Sequence, residues 1–181
     1  MEPRTLLWVH AHASPILDAL FRASHVLGDT PFCTVLVLTL ALVHWLRGER
    51  RESALWLFLG ATTFLVLEGL KPLVARSRPE LWPRLVVQGG FSFPSGHAVA
   101  SATFYPLLAW IATRGRPQLR VPVLALAIAF ALFVGVGRMY LGLHWPSDVL
   151  GGWALGATQS SAAIAWLRRA ETATAGQEER V

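Results

Sequence analysis

Only one cysteine, Cys33, occurs in 181 residues. It sits inside an apolar run, so the chain can close no internal disulfide and has little with which to build a cysteine-ligated metal site. Charge is scarce as well, at 15% of the residues, and Asp and Glu together number 11. Near the polar loops the acids are Glu68, Glu80 and Asp148, too few and too dispersed for an oxygen cage around magnesium or calcium. Basic residues outnumber acidic ones and give a formal charge of +5, but they fall in short clusters between apolar runs. They form no stripe with interleaved aromatics, which argues against a nucleic-acid partner and for loop charges beside a membrane. Residues 1–29 lack an apolar core long enough for a signal peptide, being interrupted by Arg4, His10, His12, Asp18, Arg22, His25 and Asp29.

What is present is hydrophobic: 54% of the chain, with a mean hydropathy of +0.46. Apolar runs at 30–46, 53–74, 98–113, 121–136 and 148–167 predict five spans, several near the short end of the roughly 17 to 25 residues that a bilayer helix needs. Ile16, Leu17, Leu20, Phe21, Val26 and Leu27 can share one helical face against Asp18, Arg22 and His25, so the N-terminal segment reads as an interfacial amphipathic helix, with a short sixth inserted helix as the alternative. The expected fold is an all-α integral membrane bundle of five to six helices, with residues 1–170 as one membrane-embedded domain and 171–181 as a polar, disordered tail. A soluble helical bundle would leave too little polar surface to cover five such runs.

Alternate loops divide the cations. Arg47, Arg50, Arg51, Arg114, Arg116, Arg120, Arg168, Arg169 and Arg180 fall on one side; Arg4, Arg22, Lys71, Arg76, Arg78, Arg84 and Arg138 fall on the other. Setting aside Lys71, Arg78 and Arg138, which belong to candidate chemistry, leaves nine against four. The positive-inside rule then places the first side in the cytoplasm and the second outside.

Three polar segments lie at span ends on that second side. Lys71 to Pro79 follows the second span. Pro94-Ser95-Gly96-His97 opens the third, where a Gly lets backbone approach a ligand and the first helical N–H groups can attract an anion. Arg138 to Asp148 joins the fourth and fifth. Each has a plainer reading alone: an ordinary N-cap for Ser95, snorkelling for each cation, a capping pair for His144 and Asp148, and an ion pair from Glu68 to Lys71. Together they form an inventory for phosphoryl chemistry. Lys71, Arg78 and Arg138 can neutralise phosphoryl oxygens without a metal. Asp148, four residues after His144, can orient that imidazole for nucleophilic attack on phosphorus, and His97 can protonate the leaving oxygen. A non-catalytic protein that binds or transports anionic lipids would use the same cations but has no need for an oriented imidazole opposite a second one.

Lys71 with Arg78-Pro79, then Pro94-Ser95-Gly96-His97, then Arg138, His144 and Asp148 resemble the three-part signature of the type 2 phosphatidic acid phosphatase superfamily, in its membrane lipid phosphatase branch. The resemblance implies a phosphohistidine mechanism with His144 as nucleophile, His97 as general acid and Asp148 orienting His144. It implies Lys71, Arg78, Ser95, Gly96 and Arg138 as the phosphate-binding set, no metal and no cofactor. Gly137 departs from the family's usual Ser, removing a possible hydroxyl contact. The implied partners are membrane lipids and a lipid phosphate substrate. With the site on the outer side of a bacterial inner membrane, undecaprenyl diphosphate is the favoured substrate, and phosphatidylglycerophosphate and phosphatidic acid are the alternatives.

Overall fold

A computed structural model describes residues 1–86 and 88–178, with side chains through 172. The described residues form seven helices and no strand: α1 (Glu2–Ala11), α2 (Pro15–Gly28), α3 (Thr30–Leu46), α4 (Arg50–Val74), α5 (Gly96–Ala112), α6 (Pro117–Tyr140) and α7 (Pro146–Glu178). The protein is an all-α integral membrane protein. By length and composition, α4 and α6 can each cross a membrane, and α2 with α3 can do so together across a 49° bend. That makes two or three sufficient spans rather than the five expected. The difference lies in α5 and α7. Helix α5 has 17 residues and is the most enclosed, with Ala98, Val99, Leu107 and Trp110 among its buried residues. It packs against both α6 and α7, and a helix wrapped by neighbours can be short and can carry Ser101 and Thr103 inside. Helix α7 continues to Glu178, into the tail expected to be disordered from residue 171; residues 179–181 lie outside the described residues.

Close approach of α5 and α7 is set by Gly152, where a Cβ would stand 2.8 Å from the Ser95 carbonyl oxygen. This locks together the two helix starts that carry Ser95 and Asp148, and the Ser95 N–H donates to the Asp148 carbonyl at 3.0 Å. At the other end of the bundle Arg114 pairs with Glu52 at 2.8 Å and with Glu171 at 2.9 Å.

The N-terminal segment makes two helices, α1 ahead of the one helix that the sequence suggested, and α2 can join α3 in a bent span. Pro15 fits the first helical position, and the Ser14 hydroxyl accepts the Leu17 N–H at 3.3 Å, so a new helix starts there. Helix α2 docks on α6 through Phe21, whose ring lies 5.0 Å from Phe133 and 4.6 Å from Tyr140. Two residues of its polar face have protein partners: the Tyr140 hydroxyl donates to Asp18, and His25 meets Arg138.

Candidate active site

Three chain reversals bring the polar segments to one end of the bundle. Helix α4 stops at Ala75, in the left-handed region at φ 48°, with its N–H returned to the Lys71 carbonyl. The loop that follows is pinned where the Ser92 N–H meets the Arg76 carbonyl at 2.8 Å and the Ser92 hydroxyl donates to the Ser77 carbonyl at 3.1 Å. After α6, the Leu143 N–H returns to the Arg138 carbonyl at 3.0 Å, placing His144 just ahead of α7. Pro146 is the first residue of α7, and Asp148 reaches back to accept the Trp145 N–H at 2.8 Å, an acid closing the start of its own helix.

Ser95, His97, Arg138, His144 and Asp148 are all buried, and His97 lies within electrostatic reach of Arg138 and His144. His144 Nδ1 stands 3.6 Å from Asp148 Oδ2. Arg78 Nη1 donates to His144 Nε2 at 3.1 Å. A guanidinium only donates, so His144 Nε2 must present its lone pair and the ring proton sits on Nδ1, toward Asp148. Burial is the main cause that pushes the His144 imidazole down to about 4, with Arg78 and Arg138 adding to it while Asp148 opposes. The ring is therefore neutral across the physiological range.

The four cations near the site are in different situations. Arg78 spends its donors on the carbonyls of Gly89, Gly90, Phe91 and Leu143 as well as on His144. Burial, reinforced by Arg84, lowers its pKa below the usual arginine value. Arg138 is fully buried, and its Nε and Nη2 have no hydrogen-bond partner among the described residues; the Ser95 hydroxyl is in the same condition. Buried donors without partners are costly, and an anion could satisfy them. Lys71 lies half-buried within electrostatic reach of Arg78 and Glu68. The expected Glu68–Lys71 ion pair does not form within 4.0 Å. Gly96 is the first residue of α5, directly after the Ser95 N-cap.

Arg76 was not a candidate from sequence, yet its Nη1 donates to Asp148 Oδ1 at 2.8 Å and to the Ser147 hydroxyl at 2.6 Å. Its Nη2 donates to Glu2 Oε2 at 2.5 Å, while Glu2 Oε1 accepts the Ser147 N–H at 2.9 Å and hydroxyl at 2.7 Å. His25 also escaped notice: its Nδ1 accepts from Arg138 Nη1, and its carbonyl accepts from His97 Nε2 at 3.0 Å. The departure at Gly137 is explained by the same segment. A Cβ there would stand 2.8 Å from Phe21 Cδ1 and 3.0 Å from Ser24 Oγ, so α2 occupies the space that a serine side chain would need.

Among the described residues no group of three or more His, Cys, Asp or Glu could hold a metal. An apolar groove of about 790 Å³, lined by Leu55, Phe58, Leu59, Ala162, Ala163 and Trp166 among others, opens between α4 and α7. None of the eight candidate site residues lines it.

The chain is 33% identical over 145 residues to phosphatidylglycerophosphatase B of Bacillus subtilis, covering 78% of this chain and 71% of the relative. It is 35% identical over 128 residues to decaprenylphosphoryl-5-phosphoribose phosphatase of Mycobacterium tuberculosis, covering 67% of this chain and 66% of that protein. The crystal structure of the transmembrane PAP2-type phosphatidylglycerolphosphate phosphatase of Bacillus subtilis superimposes with a TM-score of 0.82 at 29% identity, over 91% of this chain and 83% of that one. Residues 53–171 match the sequence model of the PAP2 superfamily, and with them every helix that carries a candidate phosphate-binding or catalytic residue; the chain belongs to the PAP2 superfamily, in its membrane lipid phosphatase branch.

Proposed function

We propose that the protein removes the phosphate from a lipid phosphomonoester, with phosphatidylglycerophosphate as substrate, through a phosphohistidine on His144. The observation that carries the mechanism is the Arg78 donor at His144 Nε2, which marks that nitrogen as the lone-pair atom of a buried ring, while Arg138 and Ser95 keep unpartnered donors. The phosphoryl group binds against Arg138, Ser95, the N–H groups opening α5 at Gly96, and Lys71, with Arg78 turning part of its fork from His144 to the phosphate. His144 Nε2 attacks phosphorus while the bond to the lipid oxygen breaks, and His97, which enters the step as the imidazolium, gives that oxygen its Nδ1 proton and is left neutral. Asp148 steadies the positive charge that develops on His144. Neutral His97 then accepts a proton from the water that attacks the phosphohistidine, releasing orthophosphate and restoring both rings.

Similarity to phosphatidylglycerophosphatase B over most of both chains favours phosphatidylglycerophosphate over the undecaprenyl diphosphate expected from sequence; the match to an undecaprenyl-diphosphatase of Sulfolobus acidocaldarius spans 36% of this chain. Residues 1–170 act as one membrane domain that crosses five times, α2 and α3 forming a single broken crossing. The arginine-rich end lies in the cytoplasm and the site faces the periplasm or exterior, as the loop charges favour. The test is phosphate release by the purified chain in detergent, with EDTA present, from phosphatidylglycerophosphate, phosphatidic acid and undecaprenyl diphosphate. The highest kcat/KM is expected for the first, with turnover lost in His144→Ala. Preference for the diphosphate overturns the substrate, and retained turnover in His144→Ala overturns the mechanism.

A further inference from the structure

We propose that His25, on α2 and outside the segment matched by the family, is a positioning residue that fixes both the general acid and the principal phosphate-binding arginine. The proposal rests on the roles of His97 and Arg138 given above. Arg138 Nη1 donates to His25 Nδ1, and because a guanidinium cannot accept, His25 is held as the tautomer protonated on Nε2. That contact uses one corner of the Arg138 fork and leaves Nε and Nη2, the two positions without partners, as its working edge. The same residue engages His97 twice. Its carbonyl accepts from His97 Nε2 at 3.0 Å, and its ring stacks on His97 with centroids 4.9 Å apart and planes 14° from parallel.

The carbonyl contact has a chemical consequence. A carbonyl only accepts, so His97 keeps its Nε2 proton in either charge state, and proton delivery to the leaving oxygen runs through Nδ1. The carbonyl is available because it lies in the last turn of α2, where backbone oxygens have no partner within the helix. Gly28, in that same turn, lets the backbone press on the acid: a Cβ there would stand 2.7 Å from His97 Cδ2. The last turn of α2 thus sets the angle of one catalytic group and the direction of another.

The test uses the full chain in detergent, with His25→Ala, His25→Asn and His25→Gln assayed for phosphate release from phosphatidylglycerophosphate, for inhibition by orthovanadate and for thermal unfolding. Loss of an orienting partner typically costs about 10- to 100-fold in activity, and His25→Ala is expected to show that in kcat, with a smaller change in KM and weaker vanadate inhibition. Asn places its amide oxygen near the position of Nδ1 and is expected to recover most of the loss. Gln carries its oxygen one carbon farther and is expected not to. Wild-type kcat in His25→Ala, equal impairment of the Ala and Asn variants, or a loss matched by a fall in unfolding temperature would each overturn the proposal. His144→Ala runs alongside: if it stays active the phosphohistidine reading has failed, whereas if it is dead and His25→Ala is normal, only the role of His25 has failed.

Discussion

Replacing Arg138 with Met separates what this residue does for catalysis from what it costs the fold. The side chain is fully buried, and two of its nitrogens have no partner among the described residues. Charge-assisted hydrogen bonds contribute about 1.5–3 kcal/mol each. If both donors engage the transferring phosphoryl group, their loss removes about 3–6 kcal/mol, or about 10²- to 10⁴-fold in kcat/KM at about 1.4 kcal/mol per decade. Stability should not follow. A buried guanidinium carries a desolvation penalty of several kcal/mol, and Arg138→Met removes it while leaving His25 Nδ1 unpaired at about 1–3 kcal/mol. The unfolding temperature is therefore expected to hold steady or rise as activity collapses. Arg138→Lys, which keeps the charge but not the fork, should fall between. Measuring kcat/KM by phosphate release beside unfolding by circular dichroism decides the matter. Arg138→Met within fivefold of wild type, or an activity loss tracked by an equivalent loss of stability, would refute the argument.

Gly137→Ser, which restores the family's usual residue, should harm this protein: the new side chain meets Phe21 and Ser24, and overpacking of this kind costs about 1–3 kcal/mol, visible as a lower unfolding temperature and reduced kcat. His144 is held at about 4, well below the ordinary histidine value. As pH falls from about 6.5 toward 4, the unfolded chain takes up a proton that the folded chain refuses, so this residue's contribution to stability, complete above about 6.5, is lost over that window. Denaturant titrations at several pH values should show that loss in wild type and a flatter profile in His144→Gln. An activated aryl phosphate should rescue His97→Ala far more than His144→Ala, because a good leaving group needs no acid but nothing replaces the nucleophile; equal responses in steady-state assays would refute the two assignments.

The candidate site could be proposed from the sequence because each of its parts sits at a break between apolar runs, and the breaks are what hydropathy exposes. The run at 30–46 coincides with α3 for the same reason, an apolar stretch bounded by Asp29 and Arg47. Residues acting across long separations were not legible. Glu2 drew no notice and His25 read as part of the polar face of an amphipathic helix, because their partners, Ser147 and Arg138, lie more than a hundred residues away, and hydrophobic period carries no information about such pairings. Helices α5 and α7 fall short of a span by length and composition because those measure fitness for lipid, whereas α5 is fitted mainly to other helices.

Glu2 also bears on how the protein can be handled. Its carboxylate joins Ser147 and Arg76, and Arg76 holds Asp148, so α1 is tied through two ion pairs to the carboxylate proposed to orient His144. A fluorophore or surface tether placed on α1 pulls on Asp148 and should register as altered turnover. The far end of α7, about 45 Å along the helix from Asp148 at about 1.5 Å per residue, is the place from which the molecule can be held without touching its chemistry.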